Sequence, residues 1–293
     1  MWRNKYRIFF FYLSPAIIFI FLFIYYPVFI NFYYSLFSWS SFSPSMKFIG
    51  FTNYIRMFQD QVIAISVKNN FIFAVISVIF QVGLSMVLAS VLEERFLRKF
   101  SSFFRTVYFL PSLISITVCG IMFQLLFNPN MGIINAALTA LGFNVSHLDL
   151  LGNAGTAIYT IVGVSQWQYI GYNTLLFIVA IQKIPAELYE ASVIDGAGII
   201  KKFRFITVPQ IREMTLVTMV VTMIGAFKVF DEVYIMTGGG PGNSTQVLAT
   251  YLQKSGFNND EMGYASTIAV LVFVITFALS IIQMKISKVG TEQ

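Results

Sequence analysis

The chain has 293 residues, of which 57% are hydrophobic, 17% aromatic and only 11% charged, with a formal charge of +6; its mean hydropathy is +0.74. Soluble globular domains carry about 25% charged residues, and the apolar excess here falls in runs near the ~20 residues that a helix needs to cross a hydrocarbon core. This excludes a soluble enzyme, and it excludes a nucleic-acid protein, which would gather Lys and Arg on a water-facing domain.

Six segments qualify as spans, at about 8–37, 70–92, 106–127, 156–181, 216–236 and 265–284. The expectation is an all-α, polytopic membrane protein forming one transmembrane domain over 1–293. Arg3, Lys5 and Arg7 precede the first segment as they would a signal peptide. Its apolar run, however, far exceeds the roughly 7–15 residues of such a leader's core, and no A-x-A site follows. It reads as a retained helix bent near Pro15 or Pro27.

The third segment holds the one cysteine, Cys119, and the loop after it holds the one histidine, His147. A lone Cys closes no intrachain disulfide, and one His with one Cys builds no zinc or haem site of the usual kind. Cys119 reads as a packed thiol and His147 as a surface residue.

The fourth segment contains "SQWQYIGYNT", polar for a span. Ser165, Gln168, Tyr169 and Tyr172 share a helical face at 0, +3, +4 and +7. Amides and hydroxyls could bond sugar hydroxyls while the rings cover the apolar faces of a sugar. Polar side chains also glue helices together in bundles, and on sequence alone both readings stay open.

Between the fourth and fifth segments lies "AELYEASVIDGAG", with the carboxylates of Glu187, Glu190 and Asp195. Pro185 suits a first helical position. Nothing breaks a helix before Gly196, which supplies a stop, and Ala197-Gly198 allows a turn. A second short helix with Lys201, Lys202 and Arg204 is expected to end before Pro209. Leu188, Ala191, Ser192 and Asp195 share one face, and Glu187, Glu190 and Ile194 a neighbouring one. Helices that lie on bilayers favour Lys and Arg on the polar face. This acidic one reads instead as a helix that docks on protein, with Ala191 and Ser192 small enough for close approach.

In the fifth segment, Lys228 stands three residues before Asp231 and four before Glu232. Charges inside a span are functional candidates, but this spacing also suits an intrahelical ion pair; the expectation is a structural or gating pair first and a substrate contact second. "TGGGPGNST" lacks the lysine of a phosphate-binding loop and reads as a tight turn. Of the 19 Lys and Arg, four (Lys47, Arg56, Lys68, Lys254) fall in stretches on one side and Lys228 within a span. The other fourteen share the side of the two termini. Positive residues mark the cytoplasmic side, so both termini and the acidic loop are expected there.

The loop "IPAELYEASVIDGAGIIKKFRFITVPQ" resembles the EAA loop that marks permease subunits of binding-protein-dependent ABC importers. Glu190, Ala191, Asp195, Gly196, Ala197, Phe203, Ile206 and Pro209 stand where that pattern puts them, and Ser192 replaces a second alanine. A proline often found a few residues after Pro209 is missing. "FKVFDEVYIMTGGGPGNSTQVLATYLQKSGF", "KFIGFTNYIRMF", "FFRTVYFLPSLIS" and "FNPNMGIIN" are similar to the sugar-permease branch, so the resemblance covers most of the chain.

The resemblance implies a six-helix type I ABC importer permease in a prokaryotic cytoplasmic membrane, with a coupling loop at about 184–212. It implies a second permease subunit, usually a different one, two ABC ATPase subunits, and an external solute-binding protein. No cofactor would be bound by this chain; ATP and Mg would belong to the ATPases. Glu190 would face basic residues of the ATPase, with Ala191, Ser192, Asp195, Gly196 and Ala197 forming the docking bend. Ser165, Gln168, Tyr169, Tyr172, Lys228 and Asp231 would line the substrate path. The sequons at Asn144 and Asn243 carry no weight in a prokaryotic family. Glycerol-phosphate or polyol import is an alternative cargo. An ion-driven transporter would call for an inverted repeat, and a membrane enzyme for a carboxylate, His or Cys constellation; the sequence shows neither.

Overall fold

The computed structural model describes residues 2–94, 96, 97, 100–143 and 148–288. Arg95, Arg98, Lys99, His147 and the 144–146 sequon lie outside the described residues, as do the side chains of Arg3, Lys5, Arg7 and Lys288. By internal packing the chain falls into two compact units, Met1–Ile63 with Tyr251–Val274, and Ala64–Thr250 with Ile275–Gln293.

The first unit begins with α1 (Trp2–Ile20), a π stretch (Phe21–Tyr25) and α2 (Tyr26–Tyr34). The widened register ends beside Pro27, whose ring cannot fit the ordinary i−4 geometry; Pro15 stays inside α1. Phe11, Phe19 and Phe23 are among the side chains this helix exposes, as a helix set against hydrocarbon or another protein does. A hairpin follows, β1 (Phe37–Ser40) with β2 (Ser43–Phe48), antiparallel with Phe37 opposite Phe48. The described residues are therefore mostly helical, and the all-α expectation missed this hairpin.

Next come α3 (Thr52–Gln59) and the start of α4 (Gln61–Ser77). The unit is completed by the end of α15 (Leu248–Gln253) and the first part of α16 (Met262–Lys288). Asn53 donates to the carbonyls of Ser35 and Phe37 at 3.0 and 3.1 Å, and Tyr54 shares a 2.7 Å bond with Ser35. Tyr251 and Tyr264 both donate to Asp60 Oδ2 at 2.6 Å. Arg56 grips Glu261 through two bonds of 2.9 and 2.8 Å and lies over the Tyr264 ring, 4.1 Å from its centroid.

In the second unit, α4 passes through a π stretch (Val78–Leu84) into α5 (Ser85–Glu93). Then come α6 (Ser101–Phe109), α7 (Ile116–Leu126), α8 (Ile133–Ala140), α9 (Ala157–Ile181), α10 (Ala186–Ile194), α11 (Ile199–Lys202), α12 (Val208–Gln210), α13 (Arg212–Lys228) and α14 (Asp231–Thr237). α9 is the axis of this unit. Its Ile158, Ile161, Val162 and Val164 join Phe73, Cys119, Phe227 and Val233 in one core, while Phe177, Ile178 and Ile181 join Val82, Ala89 and Leu92 in another. Fourteen of its 25 residues are buried, which is why it tolerates polar groups: they meet protein, not lipid.

Among the described residues four helical stretches are long and apolar enough to cross a membrane: Phe10–Tyr34, Gln61–Glu93, Arg212–Thr237 and Met262–Lys285. The bent pair Ser101–Leu113 and Ile116–Leu126 would make five. α9 has the length but not the apolarity.

Two expected spans are interrupted. The segment at 106–127 turns by 93°, through a 3-10 turn at Leu110–Leu113 and an extended Ile114. Pro111, which lacks an N–H, sits in that turn. The segment at 216–236 leaves helical geometry at Val229 and Phe230. Helix ends strand carbonyls, and two side-chain amides satisfy them here. Gln168 donates to Ile114 O at 2.9 Å, and Asn70 donates to Ala226 O at 2.8 Å.

Candidate functional site

Two places gather the residues of interest, both within the second unit. The first is a cavity of about 640 Å³ walled by α4 with its π stretch, α9, and the interrupted pair α13–α14. Ser165, Tyr169, Tyr172, Lys228 and Asp231 all line it. Gln168 does not: it is buried against α7's approach, holding the freed carbonyl of Ile114. The structure thus brings together five of the six expected path residues and turns the sixth into a brace.

The cavity also recruits Ser77, Gln81, Asn173, Thr222 and Glu232. Asn173 stands in the polar stretch already singled out. Gln81 is a lone amide in an apolar run, a signal that sequence reasoning passed over. The expected Lys228 ion pair is absent: among the described residues three ion pairs form, and none includes Lys228. The break at Val229–Phe230 removes the i, i+3 and i, i+4 geometry on which the pair relied. Instead Lys228 ends α13 and Asp231 and Glu232 begin α14, each at the terminus its charge favours.

The second place is the loop between α9 and α13. Pro185 caps α10 from just outside, with φ −55° and ψ 130°, not from its first turn. α10 ends in a full Schellman motif. Gly196 has φ +70°, its N–H donates to Val193 O at 3.1 Å, and Ala197 N–H donates to Ser192 O at 2.8 Å. The second helix does not stop before Pro209: a π stretch (Phe203–Thr207) absorbs the proline, and α12 carries through to Gln210.

Glu187, Glu190, Ala191 and Asp195 are exposed on this loop. So are Ile194 (87%) and Ile200 (82%), an apolar pair in open surface. Ser192 is buried, donating to Tyr189 O at 2.7 Å, so its small side chain serves this chain's own packing. Ties unforeseen in the sequence fix the loop. Tyr189 and Thr207 hydroxyls lie 2.9 Å apart, and Lys202 Nζ meets both oxygens of Glu94 at 3.0 and 3.1 Å. Beside them Glu93 takes hydrogen bonds from Arg105 and Gln182. Burial, with the nearby charges of Glu94 and Glu93, holds the Tyr189 phenol above its ordinary range against the hydrogen bond to Thr207.

A polar cavity among helices, with an exposed helical elbow tied to the span ends, defines a membrane transport component. The chain belongs to the family of the binding-protein-dependent transport system inner membrane component, whose model matches residues 81–288. It is 51% identical over 282 residues, 96% of each chain, to the probable ABC transporter permease protein YurN of Bacillus subtilis (strain 168). It is 31% identical over 274 residues, 94% of this chain and 91% of the relative, to the trehalose/maltose transport system permease protein MalF of Thermococcus litoralis. Among solved structures it is similar to a chain of the bacterial alginate ABC transporter in complex with alginate pentasaccharide-bound periplasmic protein. That likeness has TM-score 0.85, covers 100% of this chain and 99% of the other, and at 21% identity is one of fold.

Proposed function

We propose that this chain forms half of the pathway of an ATP-driven importer for a sugar or oligosaccharide handed over by an external binding protein. It crosses the membrane six times, α9 and the bent α6–α7 pair included, with both termini in the cytoplasm. A second, different permease subunit supplies the other half, and two ATPase subunits bind ATP and Mg. The exposed face of α10, with Glu190 and Ala191, docks on one ATPase. The Gly196 bend and the apolar Ile194 and Ile200 complete the contact. Closure of the ATPases then moves the loop, and the ties from Tyr189 and Lys202 carry that motion to the spans as a two-state rearrangement.

The observation that carries the cargo class is the cavity lining. Amides and hydroxyls from Ser77, Gln81, Ser165 and Asn173 stand beside the rings of Tyr169, Tyr172 and Phe230. The names of relatives such as MalF support it. The alternative, a phosphorylated polyol, would place a phosphate beside Asp231 and Glu232 with Lys228 as the lone lining cation; the charge balance opposes it. The test is sugar uptake by the complete importer carrying Tyr172→Ala. Uptake should fall about tenfold while the variant still co-purifies with its ATPase. Unchanged uptake kinetics would remove the cavity from the pathway.

A further inference from the structure

Five consecutive residues, Lys228 to Glu232, line the cavity. An unbroken helix cannot place them all on one wall, because at about 3.6 residues per turn they pass right round its axis. Val221, Gly225, Lys228 and Glu232 keep a single face, and all four line the space. On a continuous helix Phe230 would lie about 200° round from Lys228, turned away from that face. It reaches the cavity because the backbone leaves helical geometry, with Val229 at φ −55°, ψ 129° and Phe230 at φ −138°, ψ −60°.

The local sequence does not impose this break, since neither Val229 nor Phe230 is Pro or Gly. In a continuous helix the Phe230 N–H would donate to Ala226 O. Asn70 takes that acceptor instead. Its Nδ2 donates to Ala226 O at 2.8 Å, and its Oδ1 accepts from the N–H of Leu248, the first residue of α15, at 2.9 Å. Asn70 is 0% exposed, and a buried amide persists where both its ends are paired. Its neighbours hold α4 in register. Asn69 Nδ2 donates to Ser244 O and Gln246 O, both at 2.8 Å, and the Phe71 ring meets Phe227 edge-on at 5.2 Å.

We propose that Asn70 is a positioning residue of the sugar path: it clasps the Ala226 carbonyl, keeps α13 and α14 apart, and so turns Phe230 into the cavity wall. The proposal rests on the reading of this cavity as the pathway. Asn70 itself does not line the cavity and acts through Phe230. Without the clasp, the freed Ala226 carbonyl takes back the Phe230 N–H, the helix closes, and the ring leaves the wall.

The experiment uses the complete importer in membrane vesicles and a small hydrophilic methanethiosulfonate as the probe. Labelling is scored at Phe230→Cys and, separately, at Lys228→Cys, by mass spectrometry of the peptides, so that the buried Cys119 is counted apart. With Asn70 in place, the two positions should react at rates within about threefold. Asn70→Ala should slow labelling at 230 at least tenfold and change it at 228 less than about twofold. Asn70→Leu, which fills the space without an amide, should do the same and serves if the alanine variant fails to assemble. Asn69→Ala, which leaves the bond to Ala226 intact, should keep the ratio within about twofold. With Phe230 native, sugar uptake should fall about tenfold in Asn70→Ala. Adding Val229→Gly, which weakens the helix at the break, should recover much of both the labelling at 230 and the uptake, as a general loss of folding would not.

A labelling ratio unchanged in both Asn70 variants, or a fall that Val229→Gly does not reverse, would overturn the proposal. If Tyr172→Ala still lowers uptake in that case, the pathway reading stands without it. If the ratio falls but neither Asn70→Ala nor Tyr172→Ala changes uptake, the break lies off the pathway and both readings fall together.

Discussion

The phenol of Tyr189 on α10 lies 2.9 Å from the hydroxyl of Thr207, eighteen residues on, in the π stretch that feeds α13. That bond joins the exposed helix α10 to the root of α13, so a push on α10 has a direct route into that helix. Replacing Tyr189 with Phe should cost the loop about 1 kcal/mol, the net worth of one hydrogen bond. Uptake should fall while ATP hydrolysis continues, a change read as moles of ATP consumed per mole of sugar imported. An unchanged ratio would show that force enters by another route.

Gly196 adopts a φ of +70°, where a β-branched side chain costs roughly 1–2 kcal/mol. Gly196→Val should therefore unwind the Schellman turn and lower uptake more strongly than Gly196→Ala. Gly196→Asn, a residue that tolerates this region, should be the mildest of the three. Equal uptake by all three variants would refute a role for the bend.

Lys202 and Glu94 are paired with side chains only 16% and 18% exposed. Removing one partner from such a partly buried pair should destabilise the loop by about 1–2 kcal/mol, between the surface and buried cases. Lys202→Ala should make the 199–207 stretch more sensitive to limited proteolysis. The exchange Lys202→Glu with Glu94→Lys should restore protection.

At Gly171 an added Cβ would fall 1.7 Å from the carbonyl oxygen of Tyr108. The collision is with backbone, which cannot swing aside. Gly171→Ala should reduce the amount of folded protein recovered from membranes, whereas Gly163→Ala on the same helix, with open space around it, should not.

In the first unit, burial would raise the Asp60 carboxyl, but hydrogen bonds from Tyr251, Tyr264 and the Val62 and Ile63 N–H groups outweigh it and leave it below its ordinary value. The phenol of Tyr251 is correspondingly pushed up to about 12, by burial first and then by Asp60. A carboxylate lowered on folding contributes its full stability above its unfolded value, near 4, and loses it as pH falls through the folded value. The unit should therefore melt at a constant temperature from pH 8 to about pH 5 and lose stability only below that. Asp60→Asn should shrink that acid-side step, leaving the part due to Asp260, which hydrogen bonds from Ser40 and Ser41 also lower, and should lower the melting temperature at neutral pH. A step centred near pH 6 would contradict the assignment.

Much of this was legible because the signals are local. Gly196 announces a left-handed stop, Pro185 a helix start, and the polar run at 165–174 a span that does not face lipid. Ser165, Tyr169 and Tyr172 follow from helical spacing alone; Gln168 shares that spacing but turns away to a carbonyl freed 54 residues earlier by a break that Pro111 only hints at. The break at Val229–Phe230 has neither Pro nor Gly at the site. It is held by Asn70 from a distant part of the chain, so the sequence there reads as an unbroken helix and its Lys228–Asp231 spacing as a pair. Glu94 and Thr207 were silent for the same reason: their partners come from other elements. The β1–β2 hairpin hid in a short, mixed stretch between two long helical patterns.

The most direct test of the central claim is ATP hydrolysis by the complete importer in proteoliposomes, with and without its sugar-loaded binding protein. The loaded binding protein should stimulate hydrolysis several-fold, and that stimulation should be lost together with uptake when Glu190 and Ile194 on α10 are replaced by Ala and Asp. Uptake that persists without ATP, or stimulation and uptake that both survive the loss of the α10 face, would contradict it.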